Sequence, residues 1–228
     1  VTPLKEIYKT QPTFEKKVIL LADTFNINFE VKNIMYAIKV LNKFGFQAII
    51  PSFDDNNLSR PLCCGRTYIS YGQMDKAKFE MNRVTNYLYN NGYAEMPVVG
   101  IEPSCLLTFN DEFKALKGIE NRDKLKNKFY LIEEFILEQI KEGNKVSAHA
   151  YNKNVLVHGH CHQKSQDRFK GLLELLKTLE IKHKPIDSSC CGMAGSFGYS
   201  SKNYEISKKM ANLSFCLLYT SPSPRDVE

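Results

Sequence analysis

The 228-residue sequence has no run long and apolar enough to span a membrane. Its start, Val-Thr-Pro-Leu-Lys-Glu, lacks the apolar core of a signal region. No basic stripe is interleaved with stacking aromatics, so the formal charge of +6 reads as solvated Lys-rich helix faces and not as a nucleic-acid surface. There is no Gly-x-Gly-x-x-Gly, and the Gly192 to Gly198 spacing reads as a tight turn rather than a dinucleotide loop. The Cys-x-x-Cys spacing of zinc sites and the Cys-x-x-Cys-x-x-Cys run of ferredoxins are also missing. Without a secretory signal, cysteines read as metal ligands or redox groups before they read as a disulfide framework.

The sequence does have seven cysteines, six of them in four short clusters at loop-like positions. These are Cys63-Cys64-Gly65-Arg66, Glu102-Pro103-Ser104-Cys105, His160-Cys161-His162 and Ser189-Cys190-Cys191-Gly192. Adjacent cysteines on an extended backbone point in opposite directions, which suits a multi-iron cluster or two partners better than a single ion. Glycine after the pair lets the backbone approach an inorganic core closely. Buried apolar thiols are the plain alternative for one cysteine. Two copies of Cys-Cys-Gly favour a cofactor, with a vicinal redox disulfide as a lesser possibility. His158 reads as a hydrogen-bonding turn residue. His160 and His162 flank Cys161 and could tune a cluster through hydrogen bonds. Glu102 reads as a turn residue before Pro103.

Along the chain, residues 1–16 read as a linker or the end of a missing element. Apolar runs predict strands over 17–23, 46–51, 96–101, 155–158 and 181–186. Apolar residues at helical spacing predict helices over 30–44, 73–91, 123–141, 163–179 and from 202 onward, with Gly45 and Gly92 placed as stops. Pro103 places Cys105 on a turn. Strand, helix, strand, Cys-Cys-Gly, helix occurs twice. The pattern predicts duplication of a small α/β unit with parallel sheets, ligands at the carboxyl ends of the strands, and one lobe over 17–150 followed by another over 151–215.

Residues 216–226 back-translate to a sequence resembling the transposase adapter of short-read sequencing libraries. The expectation is that the natural sequence ends near Phe215, that residues 216–228 derive from adapter, and that Cys216 carries no chemistry. The second lobe is then incomplete, lacking a counterpart of Met96–Cys105. Val1 in place of an initiator Met suggests a missing upstream segment.

Cys-Cys-Gly-Arg, Glu-Pro-Ser-Cys-Leu-Leu-Thr, His-Gly-His-Cys-His-Gln-Lys and Ser-Cys-Cys-Gly-Met-Ala-Gly-Ser-Phe-Gly-Tyr resemble, in order over about residues 17–215, the C-terminal cysteine-rich (CCG) domain of FAD/iron–sulfur oxidoreductases of the D-lactate or glycolate dehydrogenase type. A more distant similarity is to the B subunit of heterodisulfide reductase and the C subunit of anaerobic glycerol-3-phosphate dehydrogenase. The resemblance implies two duplicated Rossmann-like lobes with parallel sheets, the second truncated. It implies an iron–sulfur cluster, of 4Fe-4S type, held by Cys63, Cys64, Cys105, Cys161, Cys190 and Cys191, with Gly65, Gly192, His160 and His162 against the cofactor. FAD is expected on an N-terminal region outside this sequence, followed by a ferredoxin-like segment. Electrons would pass to a quinone or cytochrome, in the cytoplasm or at the periphery of the inner membrane. The domain alone should be inactive, and no residue in it is assigned a catalytic role. Where the pattern has a leading cysteine in each repeat, the first repeat has Asp23-Thr24. The competing readings are a heterodisulfide-reductase-like catalytic subunit and a zinc-stabilised interaction module.

Overall fold

A computed structural model of the chain describes residues 2–51, 60–144, 153–188, 190–193 and 197–213. It is an α/β structure with parallel sheets. Strands β1 (Lys16–Leu20), β2 (Phe46–Ile49), β3 (Val98–Gly100) and β4 (Phe129–Leu131) form one sheet in the order β2-β1-β3-β4. Strands β5 (Val155–Val157) and β6 (His183–Pro185) form a second, two-stranded sheet.

The first sheet is buried on both faces, which is why its inner strands are continuously apolar. Val18, Ile19 and Leu20 are all fully buried, and alternate residues serve opposite cores. Ile19 and Val98 meet Met81, Val84, Leu88, Leu107 and Phe109. Val18, Leu20 and Val99 meet Ile34, Ile38, Leu41 and Phe135. The helices over these faces include α3 (Val31–Lys43), α5 (Met74–Asn90) and α6 (Pro103–Asn110); α2 (Thr24–Asn28), α4 (Arg66–Ser70) and α7 (Glu112–Ala115) are short helical turns beside them.

Three expectations change. The predicted linker contains helix α1 (Thr2–Thr10), whose Leu4 is buried. Just beyond it, Gln11 acts as a substitute strand: its Nε2 donates to Ala48 O at 2.9 Å and its Oε1 accepts the Ala48 N–H at 3.0 Å, closing part of the open edge of β2. The helix expected over 123–141 is instead α8 (Arg122–Leu125), β4 and α9 (Ile132–Lys141). Asn127 at φ 62° breaks the helix, and Phe129 and Leu131 are buried as β4 pairs with β3. The helix expected over 163–179 is divided by Asp167 at φ 55° into α10 (Cys161–Ser165) and α11 (Phe169–Thr178). The last helix, α12, spans Tyr204–Asn212. The suspected adapter segment, 216–228, lies outside the described residues.

Side chains from β4–α9 hold the second half of the chain. Glu134 takes Arg168 in a two-pronged contact, Nε to Oε1 at 2.5 Å and Nη2 to Oε2 at 2.8 Å, and also accepts the Leu131 N–H. Glu133 accepts from Gln163 Nε2 at 2.5 Å. Replacing Arg168 by Ala leaves a mostly buried carboxylate short of its partner and is expected to cost about 1–2 kcal/mol in urea unfolding. Arg168→Lys should recover only part of this, because an ammonium cannot reproduce the fork. Equal stability of Arg168→Ala and the unaltered chain would show that the fork does not hold the two halves together.

Candidate metal centre

Cys105, Cys161 and Cys190 follow within a few residues of the carboxyl ends of β3, β5 and β6, where parallel α/β sheets gather ligands, and Cys63-Cys64 stands further on from β2. After β3, Glu102 takes an extended conformation and its Oε1 accepts from Ser104 N (3.1 Å) and Ser104 Oγ (2.6 Å). Pro103 occupies the first helical position, where its missing N–H costs nothing. Cys105 therefore lies in the first turn of α6 and not on a free turn, and Glu102 is the cap that aims it. After β5, His160 caps α10: its Nδ1 accepts the His162 N–H at 3.2 Å, and its own N–H donates to Gln163 Oε1 at 3.0 Å. Its Nε2 stands 3.6 Å from Glu102 Oε1. His158 meets Ser188 Oγ at 2.6 Å, the turn contact expected of it.

The thiols fall into two sets, one in each half of the chain. Cys63, Cys64 and Cys105 line one cavity: the neighbouring Cys64 thiol, then burial, raises the pKa of Cys63, and the neighbouring Cys105 thiol raises that of Cys64. Cys161 is raised by burial and then by the nearby Cys190 and Cys191. Backbone N–H groups point at sulfur in both sets, from Gly65 to Cys63 Sγ (3.5 Å), from Arg66 to Cys64 Sγ (3.5 Å) and from Gly192 to Cys190 Sγ (3.3 Å). Gly65 (φ 79°) and Gly192 (φ 86°) both take the left-handed conformation. A Cβ on Gly65 would stand 2.8 Å from the Ala77 carbonyl oxygen, and one on Gly192 would overlap that of Ser207.

A cavity of about 550 Å³ is walled by Cys63, Cys64, Arg66 and Cys105 on one side and Cys161 and His162 on the other. A second cavity, about 570 Å³, is lined by Glu102, His160, Cys161, Cys191 and Met193. Cys161 borders both. The donor atoms of His160, Cys161 and His162 lie within 4.8 Å of one another. Burial, then the Arg66 charge, pushes the pKa of His162 down to about 4, and burial lowers that of His160, so both rings are neutral at pH 7. Arg66 is itself paired with Glu112.

Residues 155–219, which hold the His-Cys-His turn and the second Cys-Cys-Gly, match the cysteine-rich CCG domain. Outside this CCG segment the similarity runs through the first half as well. The chain is 27% identical over 173 residues to the C subunit of anaerobic glycerol-3-phosphate dehydrogenase from Escherichia coli K12, covering 75% of this chain and 42% of that one. It is 24% identical over 204 residues to D-2-hydroxyglutarate dehydrogenase of Pantoea ananatis, covering 88% of this chain and 18% of the relative. It is 26% identical over 183 residues to lactate utilization protein A of Oceanobacillus iheyensis, covering 77% and 69%. The chain thus spans less than half the length of the first two.

Sequence reasoning finds the CCG cysteines and glycines but misses Arg66 and Thr24 as cavity walls and Asp23 as a buried cap, 6% exposed. Asp23 Oδ1 accepts from the Phe25 and Asn26 N–H groups, each at 3.0 Å. An Asp ending an apolar strand just before a helix is the signal that could have found it. No described helix is long and apolar enough to cross a membrane.

Proposed function

We propose that the chain is the iron–sulfur electron-transfer domain of a flavin-dependent 2-hydroxy-acid dehydrogenase, D-lactate- or glycolate-like. The observation that carries the reading is that five of the six thiols line two adjoining cavities, Cys63, Cys64, Cys105 and Cys161 the first and Cys161 and Cys191 the second, with backbone N–H groups aimed at sulfur in each half of the chain. This donor set fits an iron–sulfur cluster: thiolates are its ligands, and the glycines leave room where a side chain would collide with the backbone behind. Cys63, Cys64 and Cys105 would hold one centre, and Cys161, Cys190 and Cys191 would contribute to a second. A bound cluster supplies a one-electron relay. The chain's own part is to bind, to donate hydrogen bonds to the sulfurs and to shield the site, while hydride chemistry belongs to a flavin carried by a partner domain or subunit.

The relatives support the class, because one is named for a 2-hydroxy acid and another for lactate utilization. The two halves read as a duplicated, Rossmann-like unit. In each, a strand pairs in parallel with its predecessor, a Cys-Cys-Gly loop follows, and the glycine lies close to the backbone of a later helix, at Ala77 and at Ser207. Delivery of electrons to a quinone or cytochrome suits a protein of the cytoplasm, working at the periphery of the inner membrane.

Anaerobic reconstitution should give a brown protein containing iron and acid-labile sulfide, and Cys191→Ser should lower both. Unchanged iron in that variant would overturn the ligand assignment. Zinc without sulfide would replace the redox reading with a zinc-stabilised module.

A further inference from the structure

We infer that His162 crosses from the second half of the chain to supply a nitrogen ligand to the centre held by Cys63, Cys64 and Cys105. The inference rests on the cluster reading above and makes the first centre a mixed Cys/His site.

The three thiols leave the four-ligand set of an iron–sulfur cluster one donor short. Among the described residues, no other cysteine of the first half lines their cavity. The place that Cys161 holds after β5 is taken after β1 by Asp23-Thr24. Asp23 is not available: Oδ1 is engaged by two backbone N–H groups and Oδ2 by Asn26 Nδ2 at 2.6 Å. Thr24 lines the cavity with a neutral hydroxyl on an exposed residue, a weak donor to iron.

The opposite wall offers Cys161 and His162. Cys161 sits with Cys190 and Cys191. His162 offers a ligand atom within 4.8 Å of those of His160 and Cys161, and its buried Nδ1 has, among the described residues, no hydrogen-bond partner. A buried imidazole nitrogen without a partner is costly and calls for an explanation. The neighbouring His160 differs in this respect, since its Nδ1 is engaged by the His162 N–H and its Nε2 faces Glu102. Packing of α10 against α6, the helix that carries Cys105, brings the two walls together. Imidazole is an accepted iron ligand beside thiolate, and its neutral charge raises a cluster's potential relative to an all-thiolate set.

The test is pulsed EPR on the full chain, reconstituted anaerobically and reduced, with and without ¹⁵N-histidine. A strong nitrogen hyperfine coupling that changes with the label is expected. It should vanish in His162→Ala and in Cys105→Ala and persist in Cys190→Ser. His162→Cys should keep the iron, lose the coupling and lower the midpoint potential. A cluster with full iron and sulfide but no such coupling, or a coupling that survives in His162→Ala or Cys105→Ala, overturns the His162 assignment and leaves the cluster reading standing. A chain that takes up neither iron nor sulfide overturns both.

Discussion

Gly192→Ala should lower the unfolding free energy by about 3 kcal/mol and strip most of the metal bound by the second set of thiols. Two costs combine. At φ 86° an L-residue is strained by about 1–2 kcal/mol. The new methyl also overlaps the Ser207 carbonyl, so the Cys-Cys-Gly loop or α12 must shift, adding about 1–3 kcal/mol. The contact has little slack, because Ser207 Oγ donates to Gly192 O at 2.8 Å and ties loop and helix from the other direction. Gly65→Ala, facing the Ala77 carbonyl at 2.8 Å, should behave alike on the first set. Gly45→Ala is the control: φ is 78° but nothing lies within 4 Å, so only the conformational cost of about 1 kcal/mol is expected. Urea titrations of the three variants decide the matter. Equal losses at Gly45 and Gly192 would show that close approach to the helix backbone contributes nothing.

Phe109→Ala should cost about 4 kcal/mol, near the upper range for an emptied aromatic site. Phe109 is 2% exposed, lies flat on Phe129 with centroids 4.4 Å apart and meets Phe113 edge-on at 5.6 Å. These three rings tie α6 to β4 at the edge of the sheet. Cys105 lies one turn earlier on the same helix, so the variant should also lose metal from the first set while Cys190 and Cys191 retain theirs. Phe79, 61% exposed, is the comparison, and its replacement by Ala should stay within about 0.5 kcal/mol. A Phe109→Ala loss no larger than that of Phe79→Ala would mean that the ring stack does not anchor the helix.

Much of this architecture is legible in the residues. Val18-Ile19-Leu20 announces a doubly buried strand, and Ile34, Ile38 and Leu41 announce the face of α3, because each pattern is local and strong. Strand β4 is hidden for the opposite reason. Phe129, Ile132 and Ile136 fit a helical spacing, and only pairing with β3, remote in sequence, makes Phe129-Tyr130-Leu131 extended. Helix α1 escapes notice because a nine-residue segment carries little signal until the partner surface that covers Leu4 exists. At the site, thiols are conspicuous by chemistry. The position of Cys105 is harder to read, because Glu102-Pro103 suits the end of a strand and equally spells a helix cap followed by its first residue. Arg66 and His162 could not be brought together from the sequence, since their meeting depends on how α10 packs on α6.

A cavity walled by Thr24, Cys63, Cys64, Arg66 and Cys105 from the first half and by Cys161, His162 and Phe197 from the second has a hereditary consequence. The two Cys-Cys-Gly halves look like modules, yet they are not interchangeable parts. A chimaera joining the first half of one relative to the second half of another inherits an unmatched Glu134–Arg168 fork, an unmatched Glu102–His160 approach and a cavity whose opposing faces were selected apart. Lineages should therefore carry substitutions at these facing positions together.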